Sequence, residues 1–275
     1  MAILRNISSG LLAGKLGRAR NKGAPTVLTP ADISGLTLWL DASDITTLWT
    51  DTGGTTQVSS NGDNVSRWDD KSASGWNVIK YSTRPVPTYT AVGEGGHPAI
   101  NFSAADMILS DQSISKTFTQ ITAIMVFDSD ATGADGVVPF NFYAPPAAEY
   151  DDTDGIQMLS RDAATSANKY GPYYNTADPS FFSTTAATGQ AVIEVYFDFG
   201  ETNVNGVYFD GTLETNGTAM TATTSMSPTA IDIGGLFRAD TVGVNGTIRE
   251  VIIYDKLLTA SERAIIMNHT SKWSA

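Results

Sequence analysis

The thirty residues from Gly246 to Ala275, GTIREVIIYDKLLTASERAIIMNHTSKWSA, constrain this chain more than any other stretch. Between Ile248 and Tyr254 only Arg249 and Glu250 are not apolar, and Ile252, Ile253 and Tyr254 are strongly β-prone. A run apolar on both faces fits a strand in the middle of a sheet. Asp255-Lys256 breaks the run. Thr259 then stands three residues before Glu262, the spacing of a capping box. A helix of about three turns is predicted from Ala260 to Trp273. Ile265, His269 and Trp273 recur at spacing four with Ile266 beside them, so one helical stripe is apolar. A strand that feeds a closing helix needs sheets to complete, and the rest of the chain must supply them.

It has the pattern to do so. Leu36, Leu38 and Leu40 alternate with Thr37 and Trp39. Thr119 to Phe127 reads as a strand with Ile121, Ala123, Met125 and Phe127 on one face. In Ala191 to Phe199, Ile193, Val195, Phe197 and Phe199 face in, while Glu194 and Asp198 face out. Val207-Tyr208-Phe209 runs into Asp210-Gly211, a hairpin turn signal. Residues 44 to 64 are rich in Thr, Gly and Asn and read as a long loop or hairpin. No helix-length periodic segment precedes residue 260, and no internal repeat is evident. A sandwich of roughly 200–250 residues commonly forms one domain. The expected architecture is all-β: an antiparallel two-sheet sandwich over residues 31–275 with a short C-terminal helix. The connections at the sheet ends are its natural binding surface. The chain has no cysteine, so disulfides are excluded.

Charge divides the chain. Residues 1 to 25 hold Arg5, Lys15, Arg18, Arg20 and Lys22 and no acid, a charge of +5. The remainder holds 12 basic and 29 acidic residues and is −17, which gives the net −12. Ile3, Leu4, Ile7, Leu11, Leu12 and Leu16 recur at near-helical spacing, while Gly10, Gly14 and Gly17 weaken a free helix. The arm is expected to order only on a surface. A secretory signal fits poorly, because Ile7 to Gly14 is too short and interrupted for an apolar core. A transit peptide fits the composition. The favoured reading is an extended N-terminal arm, residues 1–30 with its linker, that docks to a protein partner.

Several segments resemble concanavalin A-like, laminin-G-like jelly-roll domains of bacterial and bacteriophage proteins. The C-terminal segment just described is one. Gly35-Leu36-Thr37-Leu38-Trp39-Leu40-Asp41-Ala42 looks like the family's opening strand. Val65-Ser66-Arg67-Trp68-Asp69-Asp70-Lys71-Ser72 resembles its V-x-x-W-x-D-K-S segment. Arg84-Pro85-Val86-Pro87-Thr88-Tyr89, His97-Pro98-Ala99-Ile100-Asn101-Phe102 and Ile233-Gly234-Gly235 match further segments in order. The chain departs from the pattern where the usual Gly-Asn-Gly is replaced by Ala73-Ser74-Gly75-Trp76-Asn77. The resemblance implies a jelly roll. It does not imply one function, since this fold hosts lectins, enzymes and spacers.

Catalysis has little support in the residues. His97 sits in a Gly-Gly-His-Pro turn and His269 on the apolar stripe, both structural positions. There is no cysteine nucleophile and no Gly-x-Ser-x-Gly elbow. The nearest match to the paired-carboxylate strand of sandwich glucanases is Glu149-Tyr150-Asp151-Asp152-Thr153-Asp154, which ends in Asp and reads as a loop. Asp151, Asp152 and Asp154 are also the candidate metal ligands, for calcium if any. Tyr150 and Arg161 stand where a calcium loop would need acids, so a solvated turn is preferred. Asp69-Asp70 beside Asn77 is a second such cluster. Glycan binding needs aromatic faces with amides nearby. Trp76, Asn77, Tyr170, Tyr173 and Tyr174 have that composition, with Phe181-Phe182 as an apolar lip. Trp39 and Trp68 are expected in the core.

These observations lead to a non-enzymatic bacteriophage virion protein, a capsid decoration or adhesion module assembled in the host cytoplasm. Ile3, Leu4, Arg5, Ile7, Leu11, Leu12, Lys15, Arg18 and Arg20 would anchor it to capsid or tail proteins, as a homo-oligomer or in many copies. The sandwich would face outward toward surface glycans. Neither nucleic acid nor membrane insertion is expected, and no cofactor beyond calcium. The alternatives are a cellular or secreted carbohydrate-binding module and, behind it, a glycoside hydrolase.

Overall fold

The computed structural model describes residues 27–81, 84–102, 109–129, 137–144, 156–161, 169–174, 183–185, 189–216, 224–236 and 239–274. The arm residues Ile3, Leu4, Arg5, Ile7, Leu11, Leu12, Lys15, Arg18 and Arg20 lie outside them, as do Asp151, Asp152 and Asp154.

Two eight-stranded antiparallel sheets face each other. The first contains β1 (Leu36–Asp41), β5 (Thr88–Thr90), β6 (Ala99–Phe102), β8 (Gln120–Ser129), β12 (Ala191–Asp198), β13 (Asn205–Phe209), β14 (Thr212–Asn216) and β18 (Gly246–Tyr254). The second contains β2 (Leu48–Trp49), β3 (Arg67–Trp68), β4 (Val78–Lys80), β7 (Leu109–Asp111), β9 (Val137–Tyr143), β10 (Ile156–Arg161), β11 (Lys169–Tyr174) and β15 (Ala230–Ile233). A small ribbon, β16 (Gly235–Leu236) with β17 (Ala239–Gly243), extends from the second sheet. The architecture is the expected β-sandwich, in keeping with a jelly roll. Among the described residues no helix is long and apolar enough to cross a membrane.

The core between the sheets is built by the period-two pattern. Leu38, Leu40, Ile121, Ala123, Met125, Phe127, Ile193, Val195 and Phe197 from the first sheet meet Trp68, Val78, Leu109, Phe140, Phe142, Ile231 and Ile233 from the second. The hairpin at Asp210-Gly211 joins β13 to β14 with φ of 46° and 77°, the positive pair that a two-residue turn of matching twist requires.

The C-terminal segment is a middle strand, as its sequence demands. β18 pairs with β8 along one side and with β1 and β6 along the other. Its register slips between Ile248 and Glu250, a β-bulge at Arg249. Without the bulge these two residues would share a face. With it, Ile248 enters the inter-sheet core while Glu250 turns to the opposite face.

That opposite face is covered by α1 (Ala260–Thr270) and a short 3-10 turn at Ser271–Trp273. The capping box forms as predicted: Thr259 Oγ1 accepts from Glu262 N, and Glu262 accepts from Thr259 N. Ile266 and Trp273 are buried against Trp39, Ile124, Val126, Ile252 and Tyr254. Each such burial contributes about 1.5–3 kcal/mol. Arg263 grips the sheet by donating from Nε and Nη2 to Glu194 at 2.7–2.9 Å, with its guanidinium 3.8 Å over the Tyr208 ring. Glu194 therefore points away from the core, as its parity requires, but it is buried under the helix and not solvated.

Candidate functional site

The helix seals the outer face of the first sheet, and the outer face of the second carries a groove. Side chains that alternate with the core residues on β3, β4 and β7 point to this face. Trp68, Val78 and Leu109 are core, so Arg67, Ile79 and Ser110 face out. These three are aligned: Arg67 pairs with Ile79, and Ile79 with Ser110. The row extends through Trp49 on one side and through Asp232 and Asn141 on the other. In backbone register it continues by Gln157 to Tyr173 on the edge strand β11.

The groove has a volume of about 630 Å³. Arg67, Asn77, Ile79, Tyr81, Ser110 and Gln112 line it by strand parity, and Thr52, Lys80 and Asp111 line its edges. Ile79 is one of the few large apolar side chains left exposed, at 39%. Asp69 holds the guanidinium of Arg67 at Nε, 2.5 Å away, and accepts from Trp49 Nε1 through its other oxygen at 2.7 Å. Arg67 Nη1 reaches only the Thr52 carbonyl, at 3.5 Å.

The floor of this face is polar and buried. Ser110 is 3% exposed, and its Oγ has no hydrogen-bond partner among the described residues. Asn141 is fully buried, and neither amide atom has a partner among them. Gln112 Nε2 donates to Tyr143 Oη over 3.4 Å, and Tyr143 donates to Asp232 over 3.5 Å, both long for bonds of their kind. Buried polar atoms without partners carry a desolvation penalty of about 1–3 kcal/mol each. Ser110 lines the groove, and its hydroxyl is suited to a ligand able to both donate and accept.

The predicted aromatic platform is only partly assembled here. Trp76 is 8% exposed and packs edge-on against Phe142, centroids 6.2 Å apart, so its ring belongs to the core and offers no open face. The replaced loop turns Trp76 inward because Asp70 holds it there, accepting from Trp76 N at 3.1 Å. Asn77 does line the groove, with Oδ1 accepting from Asp70 N at 2.9 Å. Tyr170, Tyr173 and Tyr174 lie on β11, with Tyr173 in the cross-sheet row. Phe181 and Phe182 lie outside the described residues. Sequence reasoning missed Arg67, Ile79, Tyr81, Ser110 and Gln112. The available signal was the exposed parity of Arg67 beside Trp68 and of Ile79 beside Val78.

One buried cluster has the donor types of a metal site: Asp41, Glu250 and His269, whose ligand atoms lie within 4.8 Å of one another. Its centre is already served by cations and N–H donors. Lys272 Nζ lies 3.1 Å from Asp41 Oδ2 and 3.5 Å from Glu250 Oε1, and Lys71 Nζ lies 3.2 Å from Asp41 Oδ2. Burial pushes the Asp41 carboxyl up, but Lys272, Ser43 and Lys71 together hold it below its ordinary value. Trp39 Nε1, Trp273 Nε1 and His269 complete the shell of Glu250. The set fastens the helix to the sheet. His97 joins its rim with its ring 5.9 Å from that of Trp273. Asp70, in the second acidic cluster, accepts from Ser72 N, Ser72 Oγ and Trp76 N within its own turn and from Trp39 N on β1.

No protein-family model and no curated protein matches this sequence. Solved structures match its fold. The Trypanosoma rangeli sialidase in complex with sialic acid aligns over 89% of the chain with a TM-score of 0.55 and 13% identity. The chain spans only 34% of that sialidase. Domain 4 of an extracellular arabinanase from Geobacillus stearothermophilus, in complex with arabinotriose, aligns over 83% of this chain and 96% of its own, with a TM-score of 0.51 and 14% identity. The binding domain of botulinum neurotoxin serotype G aligns over 86% of this chain and 51% of its own, with a TM-score of 0.50 and 12% identity. At such identities the likeness is one of fold.

Proposed function

We propose that this protein is a non-enzymatic carbohydrate-binding module whose ligand lies in the groove over β3, β4 and β7. The observation that carries this is the lining itself. Ile79 and Tyr81 offer apolar surface for sugar C–H groups, and Arg67, Asn77, Ser110 and Gln112 offer donors and acceptors for hydroxyls. The structural neighbours solved with sialic acid and arabinotriose agree with this reading at the level of fold. Binding without hydrolysis is favoured because, among the described residues, Asp111 is the single carboxylate lining the groove, whereas most glycoside hydrolases need two. The test is affinity electrophoresis against a panel of polysaccharides with the wild type and Ile79→Asp. Retardation that the substitution abolishes, with the melting temperature unchanged, is expected. Retardation equal in both proteins would place the ligand elsewhere.

The finer part of the proposal is display on a bacteriophage particle, in many copies, with residues 1–25 as the anchor. Charge on the arm would speed encounter with an acidic partner, and burial of Ile3, Leu4, Ile7, Leu11 and Leu12 would hold it. Multiple copies would raise avidity for a glycan bound weakly at each groove. Deleting residues 1–25 should leave a cooperatively folding domain that no longer joins particles. Full occupancy by the truncated protein would overturn the assignment of the arm. Absence of the full chain from purified particles by mass spectrometry would favour the cellular or secreted module instead.

A further inference from the structure

Resting on the carbohydrate-binding reading, we infer that the ligand is a carboxylate-bearing, uronate-type polysaccharide read by Arg67, with Lys80 at the edge of the groove. Three observations lead there. The first is the presentation of Arg67. Asp69 fixes the guanidinium from its Nε side, Nη1 has only the 3.5 Å contact with Thr52, and Nη2 has no partner among the described residues. Gly54 passes over the guanidinium so closely that an added Cβ would lie 3.2 Å from Cζ. The group is held flat, with its terminal nitrogen pair available, and that pair matches the two oxygens of a carboxylate.

The second is Lys80. Among described residues with described side chains, Lys71, Lys116, Lys256 and Lys272 each form an ion pair. Lys80 forms none, although it is half-buried at the groove in a protein of net charge −12. A lysine left without a carboxylate in so acidic a chain marks the place where an external anion fits. Asp111 also lines the edge of the groove, but its Oδ1 is engaged by Ser113 N at 2.8 Å and Ser113 Oγ at 2.7 Å.

The third is independent of charge. The unpaired, buried Ser110 Oγ stands in the same cross-strand row as Arg67, one strand beyond Ile79. A sugar hydroxyl beside the carboxylate would complete it.

The experiment titrates the full chain with polygalacturonate, a sulfated chain of equal charge density and neutral dextran of equal length, by isothermal calorimetry at low and high salt. The expected result is preference for polygalacturonate, weakened toward 1 M salt, where the screening length falls to about 3 Å. Arg67→Lys keeps the charge and loses the fork; Lys80→Gln loses a charge with no ion-pair partner among the described residues. Each should weaken polygalacturonate binding roughly tenfold, the scale of one charged hydrogen bond, with the melting temperature of Lys80→Gln unchanged. Preference for the sulfated chain, or polygalacturonate binding by both variants as tight as that of the wild type, overturns the carboxylate assignment. Dextran bound more tightly than polygalacturonate, and lost in Ile79→Asp, overturns it while leaving the groove intact. No binding of any polymer overturns the groove as well.

Discussion

Trp39, near the start of the described chain, and Trp273, near its end, donate their indole N–H groups to opposite oxygens of one carboxylate, Glu250, at 2.8 and 2.6 Å. Glu250 is fully buried, and His269 lies 2.6 Å from one of its oxygens. The carboxylate therefore ties the opening strand, the middle strand and the closing helix at one point. Glu250→Ala would leave two buried indole donors and a histidine without their acceptor. Its expected cost is about 3–5 kcal/mol, the range for removing one partner of a buried charged set. Guanidinium denaturation checks this, and a loss below 1 kcal/mol would mean that the helix is held by packing alone.

Acid should loosen the same corner. Glu262 accepts from Lys256 and from Thr259 N, which lowers its carboxyl from 4.5 to about 2. A depressed folded value contributes stability above pH 4.5 that disappears as pH falls toward 2. Glu262→Gln keeps the capping geometry and removes the titration. Wild type should lose its advantage over this variant across that window in urea melts. Because Glu262 is only partly buried, added salt should shrink the difference. A constant difference from pH 7 to 2 would exclude this residue as the cause.

Two glycines separate backbone conformation from packing. Gly234 has φ of +92°, and an added Cβ would lie 2.2 Å from the Phe102 ring. Gly62 has φ of +87° with nothing within 4 Å. Gly62→Ala should cost about 1–2 kcal/mol, the left-handed penalty alone. Gly234→Ala should cost that plus about 1–3 kcal/mol of overpacking. Equal thermal shifts in the two variants would show that Phe102 moves aside freely.

Chelation should leave the melting temperature unchanged. Lys71 and Lys272 already hold the Asp41 and Glu250 carboxylates, and Asp70 is engaged by donors from its own turn. A fall of several degrees that calcium reverses would overturn this and direct attention to Asp151, Asp152 and Asp154.

The fold was legible because its signals are periodic. Alternation in Thr119–Phe127 and Ala191–Phe199, the Asp210-Gly211 turn and the Thr259–Glu262 box each act over a few residues, and each appears as read. The bulge at Arg249 was not legible, because two adjacent charges in a buried strand do not announce which one is extra. The site was legible least. Trp76 has the composition of a sugar platform, but whether a ring faces in or out depends on Asp70 and Phe142, which meet it only in three dimensions. Arg67, Ile79 and Ser110 come from three separate segments, and only strand register makes them neighbours.

The position of β18 has a consequence for how the molecule is made. This strand lies between β8 and the pair β1 and β6, so the first sheet has no middle until residues 246–254 have left the ribosome. Until then β1, β6 and β8 each wait with an edge unpaired, and pairing across so long a chain interval is slow. Synthesis should therefore yield no stable partial sandwich. The first sheet is expected to close only once β18 is available, and chains interrupted before that strand should be open to proteolysis.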